Sequence, residues 1–150
     1  MQRRTLLGAL LALSVPVPLA LSPNAIAENA KSGTLYKNPD CSCCEEYAKY
    51  LRRNNYTINV VATDDLPAVK RKHSVPEQLE GCHTLVISQY VVEGHVPYKH
   101  IDRLLAEKPA IGGISLPGMP LGSPGMGGRK EAPFRIYEVG SDPKKIYATD

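Results

Sequence analysis

The chain has 150 residues, with 18 lysines and arginines against 15 aspartates and glutamates, a net charge of +3. That near-balance gives no electrostatic case for nucleic acid as a partner, and the length excludes a second sizeable domain. Tryptophan is absent and there is one phenylalanine, so any core rests on Val, Ile, Leu and the eight tyrosines.

Residues 1–27 read as a cleavable export signal. Arg3 and Arg4 precede a stretch with no charged residue from Thr5 to Ala27, ending in Ala25-Ile26-Ala27, a small-x-small cleavage pattern. Pro16, Pro18 and Pro23 interrupt the apolar run, which makes it a poor permanent span; such a span wants about 20 mostly apolar residues. The arginine pair followed by Thr5-Leu6-Leu7 resembles a twin-arginine signal, while the short n-region also suits the general export route. The expectation is a periplasmic protein with no stable membrane span once the signal is removed. Its remaining charge is +1, because the signal carries two arginines and no acid.

Residues 28–33 read as a flexible lead-in and 34–150 as one domain. Thr34-Leu35-Tyr36 is a short strand candidate stopped by Asn38-Pro39, and Asp40 or Ser42 can cap the following helix, with Ser42 and Glu45 at capping-box spacing. In that helix Cys44, Tyr47, Ala48 and Leu51 fall at i, i+3, i+4 and i+7 and form one buried stripe. Cys41 lies over the same side at the helix mouth, and Cys43 points about 100° away. Thr57 to Ala62 is rich in β-branched residues, a second strand. A short helix runs from Asp64 to about Lys72. His83 to Ser88 and Tyr90 to Glu93 read as a tight hairpin ending at Gly94. A helix then opens at Pro97, with Tyr98, Ile101, Leu104 and Leu105 as its stripe, and stops at Pro109. From Pro109 to Gly128 the chain has seven glycines and four prolines and no helix or strand period, so it reads as one long loop. Phe134 to Val139 is a last strand, which Lys144 to Ala148 extends. The order predicts an α/β fold: a thioredoxin-like mixed sheet flanked by helices, with the Gly/Pro-rich loop before the last strand.

The chemistry concentrates in Cys41-Ser42-Cys43-Cys44. A helix N-terminus offers unpaired amide donors and a positive dipole end, which favour the thiolate, and thiolate is both the redox nucleophile and the metal ligand. Two readings compete: dithiol exchange through Cys41 and Cys44, or capture of a soft ion by Cys41, Cys43 and Cys44. A third thiol beside a redox pair tends to scramble its bridge, whereas three adjacent sulfurs can bridge several soft ions, as thiolate does with Cu(I). Structural zinc commonly uses two separated pairs of ligands, not three plus one. Two ordinary disulfides are the plain alternative in an exported chain. The fourth cysteine lies in Gly81-Cys82-His83-Thr84, before the third strand. In a thioredoxin-like topology that loop approaches the helix mouth at the place where such proteins carry a cis-proline; the nearest proline here is Pro76. Met119 and Met126 sit in the Gly/Pro-rich loop, where thioethers are ready Cu(I) ligands, although loop packing is the plainer role. His83 and His95 flank the hairpin and can add imidazole; His73 and His100 look like solvated helix residues.

Leu35-Tyr36-Lys37-Asn38-Pro39-Asp40-Cys41-Ser42-Cys43-Cys44, then Gly81-Cys82-His83-Thr84, Glu93-Gly94-His95-Val96-Pro97, and the two Pro-Gly-Met turns around Met119 and Met126 resemble the exported CopG-like metal-binding family of the copper-resistance context. The likeness spans roughly Leu35 to Val139. The thiolate set itself suits Cu(I), held as more than one ion; the resemblance implies a thioredoxin-like fold and copper ligation by Cys41, Cys43, Cys44 and Cys82 with His83, His95, Met119 and Met126 as further ligands. It also implies a role in handling or redox conversion of copper, with other periplasmic copper-handling proteins as partners. Tyr36 to Cys41 is similar as well to the opening of glutaredoxin-type arsenate reductases, over the first turn alone. The rival function is a thiol-disulfide oxidoreductase using Cys41 and Cys44.

Overall fold

Strands and helices are interspersed along the chain of the computed structural model, which describes residues 31–140 and 142–150. The expected export signal over 1–27 lies outside the described residues. The elements are β1 (Ser32–Lys37), α1 (Ser42–Arg53), β2 (Thr57–Ala62), α2 (Leu66–Lys72), a 3-10 turn (Glu77–Leu79), β3 (His83–Ile87), β4 (Tyr90–Gly94), α3 (Tyr98–Glu107), β5 (Gly113–Leu116), β6 (Arg135–Val139) and β7 (Ile146–Thr149). All seven strands join one sheet in the order β2-β1-β3-β4-β5-β6-β7. The pairs β1/β2 and β4/β5 are parallel and the other four antiparallel, so the sheet is mixed.

Side-chain alternation along the strands sorts the molecule into two faces. Leu35, Leu85 and Ile87, Val92 and Ile114 share one core with Cys44, Tyr47, Ala48 and Leu51 of α1 and with Ile101 and Leu104 of α3. Their neighbours in register turn the other way, where Val91 packs with Val75, Leu79 and Val139. Helix α2 belongs to this second face, since its buried Lys70 meets Thr84 and Glu93, a cross-strand pair in the phase of Val86 and Val91. Helices therefore cover both faces. No helix among the described residues is long and apolar enough to cross a membrane.

Three local expectations are corrected. Helix α1 is capped by Cys41 with no side-chain cap, so neither Asp40 nor the Ser42/Glu45 box is used. The Gly/Pro-rich stretch contains β5, all four residues of which are buried between β4 and β6. Residues 146–149 do not extend β6 but return antiparallel to it as β7. In addition, β1 starts at Ser32, inside the stretch read as lead-in.

The topology sends several connections to one end of the sheet. Strand β1 ends at Lys37, opposite His83 at the start of antiparallel β3. Strand β4, antiparallel to β3, ends at Gly94, opposite Leu116 at the end of parallel β5. The Cys41 turn, the Cys82 loop, His95 and the loop after Leu116 therefore emerge together.

Candidate metal centre

Four sulfurs meet at that end. The Sγ atoms of Cys41, Cys43, Cys44 and Cys82 all lie within 4.8 Å of one another. Cys82 Sγ is 3.6 Å from Cys44 Sγ and 4.0 Å from Cys43 Sγ, and Cys43 Sγ is 3.5 Å from Cys41 Sγ. Cys43 has not turned away from the group, although its helical position is about 100° from that of Cys44. Cys41 and Cys44 are joined as a disulfide, while Cys43 and Cys82 are free thiols. The loop before β3 contains no cis peptide bond, nor does any other described segment.

Two imidazoles extend the sulfur group. Cys82 Sγ lies 3.1 Å from His95 Nε2 and 3.4 Å from His83 Nδ1, so Cys82 belongs to a thiol set and to a Cys-His-His set at once. His95 Nδ1 lies 2.6 Å from the Pro124 carbonyl, which can only accept; the proton therefore sits on Nδ1 and the Nε2 lone pair faces Cys82. Burial pushes His83 well below the ordinary histidine range and lowers His95 as well, so both rings are neutral near pH 7 and able to ligate. His83 Nε2 is buried without a hydrogen-bonding partner. Burial first, and the neighbouring Cys43 second, push the Cys82 thiol up to about 12 in the metal-free chain. An ion that displaces this proton would reverse that preference, since metal ligation deprotonates a thiol.

The surrounding shell contains residues that the sequence pattern did not assign to the site: Tyr47, read there only as core, and Lys37. The Tyr47 ring lies tilted 4.6 Å from His83 and edge-on 5.1 Å from His95, centroid to centroid, and its hydroxyl donates to the Val96 carbonyl at 2.7 Å. Lys37 is buried; its ammonium donates to the carbonyls of Asn38 and Pro39 and pairs with Glu45 at 3.2 Å, bracing the turn that carries Cys41. The available signal was strand phase: Lys37 shares the face of Leu35 and so points toward the core.

The methionines are placed differently from each other. Met126 is half-buried and follows the Pro124-Gly125 turn that contacts His95 and α1, whereas Met119 is exposed at 43%. His100, expected to be solvated, is instead buried beside Asp150, with 3.7 Å between Nε2 and Oδ2. His73 ends α2 in a half-buried position away from the sulfur group's own elements.

An α/β domain that gathers four sulfurs and two neutral imidazoles at one sheet end presents a donor set that could hold a soft metal ion. Residues 79–126, which include Cys82, both imidazoles and both methionines, match the family described as "Protein of unknown function, DUF411". The chain is similar to two solved structures, "Copper resistance protein copG- Form 2" and "Copper resistance protein copG- Form 1". Both are 31% identical with a TM-score of 0.72, over 79% of this chain and 97% and 96% of theirs. The chain belongs to the CopG copper resistance protein family. No curated protein sequence matches it.

Proposed function

We propose that this chain is an exported, periplasmic copper-binding protein of copper resistance, built on a thioredoxin-like domain, whose cargo is Cu(I). The observation that carries this reading is the convergence of four cysteine sulfurs within 4.8 Å, with Cys82 shared by a two-imidazole edge. Thiolate is the donor that selects Cu(I), and metal–sulfur bonds of about 2.3 Å are compatible with sulfurs 3.5–4.0 Å apart around shared ions. Cys41, Cys43, Cys44 and Cys82 are the thiolate ligands and together hold more than one ion. His83 and His95 complete the shell on the Cys82 side, and the loop bearing Met119 and Met126 receives or shields the ion. Imidazole beside thiolate lends the site to interconversion of Cu(I) and Cu(II), with other periplasmic copper-handling proteins as donors or acceptors. The N-terminal pattern of Arg3, Arg4, an uncharged stretch and Ala25-Ile26-Ala27 supports export. The order β2-β1-β3-β4, with a Cys-x-x-Cys pair at the start of α1, supports the thioredoxin-like reading.

The Cys41–Cys44 disulfide must gain two electrons from a thiol reductant, giving two thiolates, before both sulfurs can bind an ion. Anaerobic titration of the reduced protein with Cu(I) is therefore the test. The expected result is more than one tightly held ion per chain, reduced in number by Cys43→Ser. A single ion, or binding indifferent to Cys43, overturns the cluster. The same disulfide favours the second reading, thiol-disulfide exchange with Cys41 as nucleophile and Cys44 as resolver. Reductase turnover that survives Cys43→Ser and Cys82→Ser supports that reading instead.

A further inference from the structure

Behind the sulfur group, on the opposite face of the sheet, lies a polar network around the buried side chains of Lys70, Thr84 and Glu93 that ligation itself does not use. Glu93 is 0% exposed and accepts from the Lys70 ammonium at 2.5 Å, from the Thr84 hydroxyl and from the Gly81 amide at 2.9 Å. Lys70 also donates to Thr84 at 3.3 Å. A buried ion pair is a poor stabiliser, because desolvating both charges offsets much of their attraction. Its position in the chain is more informative. Gly81 precedes Cys82, Thr84 follows His83, and Glu93 is two residues before His95, so all the partners of this carboxylate except Lys70 flank the candidate ligands. The two backbones cross tightly at this point, since a Cβ on Gly81 would lie 2.5 Å from Gly94 N and 2.6 Å from Gly94 Cα. The crossing places Cys82 Sγ 3.1 Å from His95 Nε2.

We propose that Glu93, held by Lys70 and Thr84, is a positioning residue for the copper site: by accepting the Gly81 amide from the far face of the sheet, it fixes the backbone of Cys82 against His95 and the Cys41–Cys44 turn. This rests on the reading of Cys82 as a copper ligand. Outer residues of this kind act through their ligands, and their loss typically costs about 10–100-fold in metal affinity.

The test uses the double variant Lys70→Met/Glu93→Leu, which removes both charges at once; apolar replacement of a buried ion pair is often neutral for stability. Two readouts are taken on the full chain. Hydrogen exchange at the Gly81 amide in metal-free protein is expected to quicken about tenfold or more as its acceptor disappears. Cu(I) affinity, measured by competition with a chelator, is expected to fall about 10–100-fold, toward that of Cys82→Ser. Glu93→Gln, which keeps an acceptor for Gly81, is expected to restore slow Gly81 exchange and most of the affinity, and it serves as the main variant if the double variant fails to fold. Unchanged Gly81 exchange in the double variant overturns the proposal. So does faster exchange with unaltered copper affinity, or a Glu93→Gln protein that folds and keeps slow Gly81 exchange yet binds copper weakly. If the parent chain binds no Cu(I), the copper reading fails on its own, while the exchange arm still decides whether Glu93 holds the Cys82 backbone.

Discussion

Gly125→Ala should detach the methionine loop from α1, and Gly118→Ala supplies its internal control. Both glycines have left-handed backbones, with φ of +81° and +79°, so the cost of an L-residue there, about 1–2 kcal/mol, is common to both and cancels. Their surroundings differ. A Cβ at Gly118 meets nothing within 4 Å, whereas at Gly125 it would lie 2.7 Å from Tyr47 N, 2.9 Å from Tyr47 Cα and 3.1 Å from Glu46 C. These are helix backbone atoms, which cannot swing aside as a side chain would. Overpacking of this kind costs about 1–3 kcal/mol. The escape is to lift the turn, which breaks the 2.6 Å bond from His95 Nδ1 to the Pro124 carbonyl and forfeits about 1 kcal/mol. Gly125→Ala should therefore be about 1–3 kcal/mol less stable than Gly118→Ala, a Tm lower by roughly 4–12 °C for a domain of this size. Thermal unfolding of reduced, metal-free protein reads the difference. Imidazole NMR should show the Nδ1 proton of His95 exposed to exchange in Gly125→Ala alone. Equal Tm values for the two variants, with His95 still protected, would refute the docking of this loop.

Three other perturbations address the shell of the site. Tyr47→Phe removes the hydroxyl that donates to the Val96 carbonyl at 2.7 Å in the core, and should lower stability by about 1–3 kcal/mol, seen as a reduced urea midpoint with an unchanged slope. Lys37→Met leaves the Asn38 and Pro39 carbonyls without their ammonium donor; the Cys41 amide, which donates to Asn38 O at 3.1 Å, should then exchange faster, and slow exchange in the variant would argue against the brace. Alkaline pH should unfold the protein. Tyr47 is raised well above the usual tyrosine range by burial, and Tyr56 is raised by burial first and then by its hydrogen bond to Asp102, 2.5 Å long. The folded chain thus keeps protons that the unfolded chain releases above about pH 10, so this stabilisation is intact below that pH and declines beyond it. Tm measured from pH 8 to 11 should bend downward near pH 10, and Tyr56→Phe should make the bend shallower.

The parts of this molecule that the bare sequence reveals are those whose signal is local. Cys44, Tyr47, Ala48 and Leu51 announce α1 because helical period alone determines which face they share, and all four are buried in the core. Strand β2 announces itself through Thr57, Ile58, Val60 and Val61, whose branching suits a pleated surface. Strand β5 has no such signal. Gly113-Ile114-Ser115-Leu116 is short, buried on both faces and therefore not alternating, and set among glycines and prolines; its ladder partners in β4 and β6 make it a strand. The same division runs through the sulfur end. Cys41, Cys43 and Cys44 stand together in the chain, and the approach of Cys82 follows from strand order, so their meeting can be anticipated before any side chain is placed. Lys70 and Glu93 cannot be paired in that way, because Thr84 faces Glu93 only in the one register that β3 and β4 adopt. A shift of one residue would turn Glu93 toward the sulfurs and send a valine to Lys70. The buried ion pair and the Cys82–His95 contact are thus two consequences of a single strand register, one on each side of the sheet.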